Sequence, residues 1–284
     1  MFRDYYYLTK PGIIYGNLVT TTAGFMLAGK GHISILGLLT ILGGVTLVIA
    51  SACVVNNYTD RKLDTKMTRT KQRALASGRI SGANAAVFGL SLGFLGLLIL
   101  GLFTNILTFL LGLIAYFVYV VLYGITKRRS VHGTLVGSIA GALPPVAGYT
   151  SATNNLDAGA LLLFLLLVFW QMPHFYAIAM YRLKDYKAAG LPVLPVKKGM
   201  EATKIQIVLY IFAFTVTGMF FTLSGYTHAL FLIIILGLGL SWLYKGVQGF
   251  GNSDNRAWAR KMFIFSLVVN LGMSVLLATG ALLP

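Results

Sequence analysis

The chain has 284 residues, 57% of them apolar and only 11% charged, against roughly a quarter charged in an ordinary soluble domain. Runs of near-membrane length recur from end to end, and they are continuous instead of alternating, so a soluble domain and a β-barrel are both excluded. The formal charge of +16 does not point to nucleic acid, because the cations have no soluble domain to present them and membrane topology accounts for them.

The apolar pattern predicts an all-α polytopic membrane protein, a single transmembrane domain over 1–284. Nine transmembrane helices are expected, at about 11–29, 34–55, 84–103, 106–124, 131–150, 159–181, 204–223, 228–247 and 261–282. Met1 to Lys10 is polar and aromatic and does not read as a cleavable signal peptide. The fifth span carries Gly137, Gly141, Pro144, Pro145 and Gly148. Such a segment lines a cavity or a tight helix contact, where neighbours satisfy the freed backbone groups. Pro173 should kink or loosen the sixth span.

Nine spans divide the cations sharply. Of 23 Lys and Arg, 22 fall in flanking segments of one side, and Lys30 alone falls on the other. The positive-inside rule therefore puts the N-terminus and the two longest loops, about 56–83 and 182–203, in the cytoplasm and the C-terminus outside. Long loops without regular structure are usually functional. The lone Cys53 lies within the second span and reads as a packing residue. Asp157, Glu201 and Asp254 read as helix-end or loop residues, Asp254 as an N-cap.

Two of only seven acidic residues stand in the segment Asn56-x3-Asp60-x3-Asp64, at the end of the second apolar run. If the helix continues through Asp64, these positions advance about 40° and rise about 6 Å per step, forming one polar stripe. Two carboxylates and an amide oxygen suit a hard divalent cation such as Mg²⁺, which shares its shell with water and substrate phosphates. Arg69, Lys71 and Arg73 follow, able to meet the remaining phosphate charge. The alternative is a pair of ordinary loop carboxylates moderating a topogenic basic cluster.

The pattern Asn56-x3-Asp60-x2-Leu63-Asp64-x2-Met67-x-Arg69-Thr70-x2-Arg73 resembles the signature of the UbiA-type intramembrane prenyltransferases. Several segments narrow the resemblance to the haem-farnesylating branch of that superfamily. They are Leu8-Thr9-Lys10-Pro11-Gly12, Lys127-Arg128-Arg129 leading to Gly141-Ala142-Leu143-Pro144-Pro145, Trp170-Gln171-Met172-Pro173-His174-Phe175, and Asp185-Tyr186 through Pro195. The resemblance implies nine helices around a central cavity, in a bacterial inner membrane, with the active-site loops facing the cytoplasm. It implies Mg²⁺-dependent loss of diphosphate from farnesyl diphosphate, capture of the allylic cation by a vinyl group of haem B, and addition of water to give haem O. The product would pass to a terminal oxidase or a haem A synthase.

The metal set expected on this basis is Asn56, Asp60, Asp64 and Asp185, with Tyr181 and Lys184 beside Asp185 as diphosphate contacts. The second loop offers one Asp where quinone-type relatives carry an Asp-rich motif. Lys127 and Arg128 are candidates for phosphate or haem propionate, with ordinary topogenic cations as the alternative. His174 is a candidate haem-iron ligand or cavity-lining residue, and a hydrogen-bonded packing histidine otherwise. Two further readings stand beside the first: prenyl transfer to a quinone precursor or other aromatic acceptor, and a haem or ion transporter without chemistry.

Overall fold

The computed structural model describes residues 2–280. The last two positions of the ninth expected span, 281 and 282, lie outside the described residues. Twelve helices follow in order: α1 (Phe2–Leu8), α2 (Pro11–Gly29), α3 (Ile35–Asp64), α4 (Gly82–Phe103), α5 (Ile106–Arg129), α6 (Gly133–Thr153), α7 (Ala158–Tyr181), α8 (Leu183–Ala188), α9 (Leu194–Lys197), α10 (Gly199–Leu223), α11 (Ala229–Val247) and α12 (Asn255–Gly280). Their starts are capped locally. Ser34, Ser81, Asn105 and Asp157 each accept a hydrogen bond from the backbone N–H three residues on, and Asp254 accepts from Arg256 and Ala257.

Seven helices, α3, α4, α5, α7, α10, α11 and α12, are long and apolar enough to cross a membrane. Helices α2 and α6 reach comparable lengths of 19 and 21 residues but are less apolar. For α6, packing explains the difference. From Ala142 to Thr150, α6 is buried on every side, so it needs few lipid-facing side chains. A Cβ on Gly24 would collide with the Pro145 carbonyl oxygen, and one on Gly148 with that of Thr21. The Gly/Pro-rich segment thus makes the tight helix contact that was one of its two expected uses. Pro144, Pro145 and Pro173 all lie inside unbroken helices.

Helix α3 continues to Asp64, as the polar stripe requires. One expectation needs correction: the two longest loops are not structureless. Residues 65–81 fold into successive turns, with Lys71 N–H donating to Met67 and Ser77 N–H to Arg73. Ala74, Leu75 and Ile80 join Leu8, Val54 and Ala85 in a small apolar cluster, flanked by Tyr5 and Phe88. In the second loop, α8 is followed by Gly190 with φ 68°, and Leu191 N–H donates back to the Tyr186 carbonyl.

Candidate active site

Because α3 stays helical through Asp64, Asn56, Asp60 and Asp64 stand on one face at successive turns. All three are withdrawn from water: Asn56 and Asp64 are buried, and the Asp60 side chain is 15% exposed. Each meets a cation. Lys10 Nζ donates to Asn56 Oδ1 at 2.9 Å. Lys127 Nζ reaches Asp60 Oδ2 at 2.5 Å, and Arg128 Nη2 reaches Oδ1 at 2.9 Å. Arg73 Nη1 lies 3.0 Å from both Asp64 oxygens and 3.2 Å from Asn57 Oδ1. Asp60 and Asp64 are therefore helical, withdrawn carboxylates and not solvated loop residues, and both are paired with the basic cluster.

Four separate segments build this cluster. The turns after α3 carry Arg73 back, with Thr70 Oγ1 donating to the Asp64 carbonyl to fix the reversal. Helix α5 supplies Lys127 and Arg128. Its Val118–Tyr123 stretch is π-helical, a local re-registering often found at functional sites. The Tyr119 and Tyr123 rings stack at 5.3 Å, and Lys127 Nζ lies 5.1 Å from the Tyr123 ring centre. The N-terminal segment supplies Lys10 and is tied down next to it, as Asn57 Nδ2 donates to the Leu8 carbonyl at 2.8 Å. Burial pushes the Lys10 ammonium down to about 8, with Arg73 and Lys127 adding to the effect and Asp60 opposing it.

The second loop lies near the cluster through Tyr186. Tyr123 is within electrostatic range of both Asp60 and Tyr186, and Tyr186 is within range of Arg69. Burial raises the Tyr186 hydroxyl, and Arg69 opposes that rise. Asp185 is half-buried on α8 and Lys184 is exposed. Among the described residues, no group of three His, Cys, Asp or Glu forms a closed metal site, so Asp185 is not gathered with Asp60 and Asp64. Tyr181 packs against Phe263 and beneath Arg182. Of the expected Arg69–Lys71–Arg73 series, only Arg73 enters the carboxylate network. Arg69 and Lys71 are exposed.

His174 lies apart from this cluster, between α7 and α12. It stacks on Trp170 at 4.9 Å and packs against Phe263 at 5.0 Å. Its Nδ1 is 2.7 Å from Ser266 Oγ, and that hydroxyl donates to the Phe263 carbonyl at 2.6 Å. A carbonyl can only accept, so Ser266 must accept from Nδ1–H. The imidazole is thereby fixed with a lone pair at Nε2.

Sequence reasoning did not single out Lys10, Tyr123 or Tyr186, which the fold brings to this cluster. Lys10 was counted as a topogenic cation, and its partner lies 46 residues away. The donor set of the stripe, one amide and two carboxylate oxygens on one buried face, fits a hard divalent cation. Lys10, Arg73, Lys127 and Arg128 already occupy that face.

The sequence matches the model of the UbiA prenyltransferase family over residues 17–268. It is 49% identical over 269 residues to a protoheme IX farnesyltransferase of Protochlamydia amoebophila, covering 95% of each chain. It is 46% identical to one of Sodalis glossinidius, covering 100% of this chain and 96% of that one. Among solved structures it resembles a digeranylgeranylglyceryl phosphate synthase, with TM-score 0.80, 19% identity and coverage of 99% and 98%. A UbiA homologue from Archaeoglobus fulgidus bound to GPP and Mg²⁺ gives TM-score 0.73, 16% identity and coverage of 97% and 99%. The chain belongs to the UbiA prenyltransferase family.

Proposed function

We propose that this protein transfers the farnesyl group of farnesyl diphosphate to a vinyl group of haem B, with addition of water, giving haem O and diphosphate. The buried stripe of Asn56, Asp60 and Asp64, ringed by cations at one end of the bundle, carries the diphosphate half of this reading. The relatives named protoheme IX farnesyltransferase, 45–49% identical over nearly the whole chain, support haem as the acceptor. We read α2 and α6 as crossing the membrane with the seven more apolar helices, giving nine spans with a cytoplasmic N-terminus and an external C-terminus. The charge distribution supports that orientation, and bacterial relatives support the inner membrane.

Asn56, Asp60 and Asp64 would hold Mg²⁺, with water and phosphate oxygens completing its shell. When bound, the ion offsets negative charge on the departing diphosphate. Lys127, Arg128 and Arg73 turn from the carboxylates toward phosphate oxygens and stabilise charge where it develops. Arg69, Lys71, Tyr181, Lys184 and Asp185 are assigned to the rim of the same diphosphate site. The allylic C–O bond breaks and its electron pair leaves with diphosphate. The vinyl π electrons then form a new C–C bond to the farnesyl C1. The cation left beside the porphyrin takes up water and releases a proton. The bundle must keep bulk water from the allylic cation until that bond forms. The Nε2 lone pair of His174 is assigned to haem iron.

Membranes containing the protein, given farnesyl diphosphate, haem B and Mg²⁺, should yield haem O identified by chromatography and mass. Prenylation of an aromatic acid with no farnesylated haem would assign the chain to the aromatic-acceptor reaction instead. Haem movement without either product would favour a transporter.

A further inference from the structure

Lys10 stands at the junction of α1 and α2 with φ 54° and ψ 66°, a left-handed conformation that disfavours L-residues other than Asn and Asp. Among the described residues, the other two non-glycine residues of this kind, Lys30 and Asn154, terminate α2 and α6, where such a conformation is common. Lys10 instead precedes a helix, is half-buried, and carries its ammonium to Asn56 Oδ1. Strain of this sort persists where the surrounding structure holds it for a purpose. The surroundings identify the purpose. Lys10, Arg73, Lys127 and Arg128 gather around only two carboxylates, Asp60 and Asp64. Positive charge is in excess by two, and Lys10 is the one cation of the four whose hydrogen-bond partner carries no charge.

We propose that Lys10 is a further residue of the diphosphate site, guarding Asn56 in the free protein and passing to a phosphate oxygen when metal and diphosphate bind. This rests on the diphosphate reading given above. A lysine suits the task because its ammonium is a compact point charge on a flexible four-carbon stem. While it holds Asn56 it competes with a metal for the same oxygen. Once the metal has Asn56, the ammonium is freed beside the oxygens of the incoming diphosphate.

The two roles have opposite signs, which separates them from mere support of the fold. The test uses the full chain in lipid nanodiscs, with Mn²⁺ alone in one titration and inorganic pyrophosphate with Mg²⁺ in another. Lys10→Gly removes the ammonium and accepts the positive φ. Lys10→Asn also tolerates it and carries the same readout if the glycine variant fails to fold. The expected result is unchanged or tighter Mn²⁺ binding and roughly 10- to 100-fold weaker pyrophosphate binding, the range for a lost charge-assisted hydrogen bond. Lys10→Arg should recover most of the pyrophosphate affinity. Asp60→Asn should weaken both ligands. Wild-type pyrophosphate affinity in Lys10→Gly, with Asp60→Asn impaired, would overturn the proposal and leave the diphosphate site standing. Equal loss of both ligands in Lys10→Gly would reduce Lys10 to a structural role and overturn it too. A wild-type protein that binds no pyrophosphate would overturn both readings.

Discussion

Replacing Asp64 by Asn should damage stability and activity separately, and the structure gives the size of each effect. The Asp64 side chain is 3% exposed and faces Arg73, which is 27% exposed. Removing one partner of a fully buried ion pair costs about 3–5 kcal/mol. Arg73 keeps some water and a second contact to Asn57 Oδ1, which lowers the expected loss to about 2 kcal/mol. At roughly 2–4 °C per kcal/mol for a chain of about this size, the midpoint of thermal unfolding should fall by about 4–8 °C. Haem O formation should fall further than this, because the proposed metal ligand is gone at any temperature. The double variant Asp64→Leu/Arg73→Leu replaces the pair by apolar groups, which is often neutral for stability. It should regain most of the lost melting temperature and none of the activity. The assays are thermal unfolding in nanodiscs and chromatography of extracted haems from membranes matched for protein level. An Asp64→Asn protein with both its midpoint and its haem O yield intact would refute the reasoning, since neither the buried pair nor the metal role could then be real.

The contact between α2 and α6 gives a sharper packing test. Gly24→Ala and Gly148→Ala drive a methyl group into the backbone of the facing helix, so both should lose at least 1–3 kcal/mol, about the cost of overpacking. Gly16→Ala, with open space around it, should be neutral or slightly stabilising in the same unfolding assay. For His174, the iron assignment predicts that His174→Ala changes the absorption and electron paramagnetic resonance spectra of bound haem B. Ser266→Ala, which leaves Nδ1 without its acceptor, should weaken haem binding about tenfold, and unaltered spectra in His174→Ala would remove the iron role.

What could be read from the sequence follows the range of the interactions involved. The stripe was legible because a helix repeats locally: Asn56, Asp60 and Asp64 share a face whatever else the chain does. The tight packing of the Gly/Pro-rich helix was legible in outline for the same reason, although its partner α2 was not. Lys10 was invisible because its meaning depends on Asn56, and nothing local to Thr9-Lys10-Pro11 marks a left-handed backbone. The order in residues 65–81 was missed because its apolar residues are sparse. They become a core only when Leu8 and Val54 arrive from elsewhere in the chain. Tyr123 and Tyr186 were hidden among numerous tyrosines, and only folding brings one within range of both polar loops.

The positive charge presents the deeper question, because topology and catalysis both call for cations at the same membrane face. Sequence cannot separate the two demands, but burial can. A topogenic cation needs only to remain on its side of the bilayer, and Lys66 and Arg129 are exposed as that role allows. Lys127 has a side chain 11% exposed, and Arg73 and Lys127 both abandon water for a carboxylate. Desolvating a cation is costly, and orientation in a membrane gives no return for it. Placing cations beforehand where a diphosphate will leave does give a return, because donors already in place need not reorganise when charge develops. The same logic explains why the acidic partners are so few. Asp60 and Asp64 hold Lys127, Arg128 and Arg73 in position without neutralising the whole cluster. On the proposed reading, the surplus positive charge is left for the substrate.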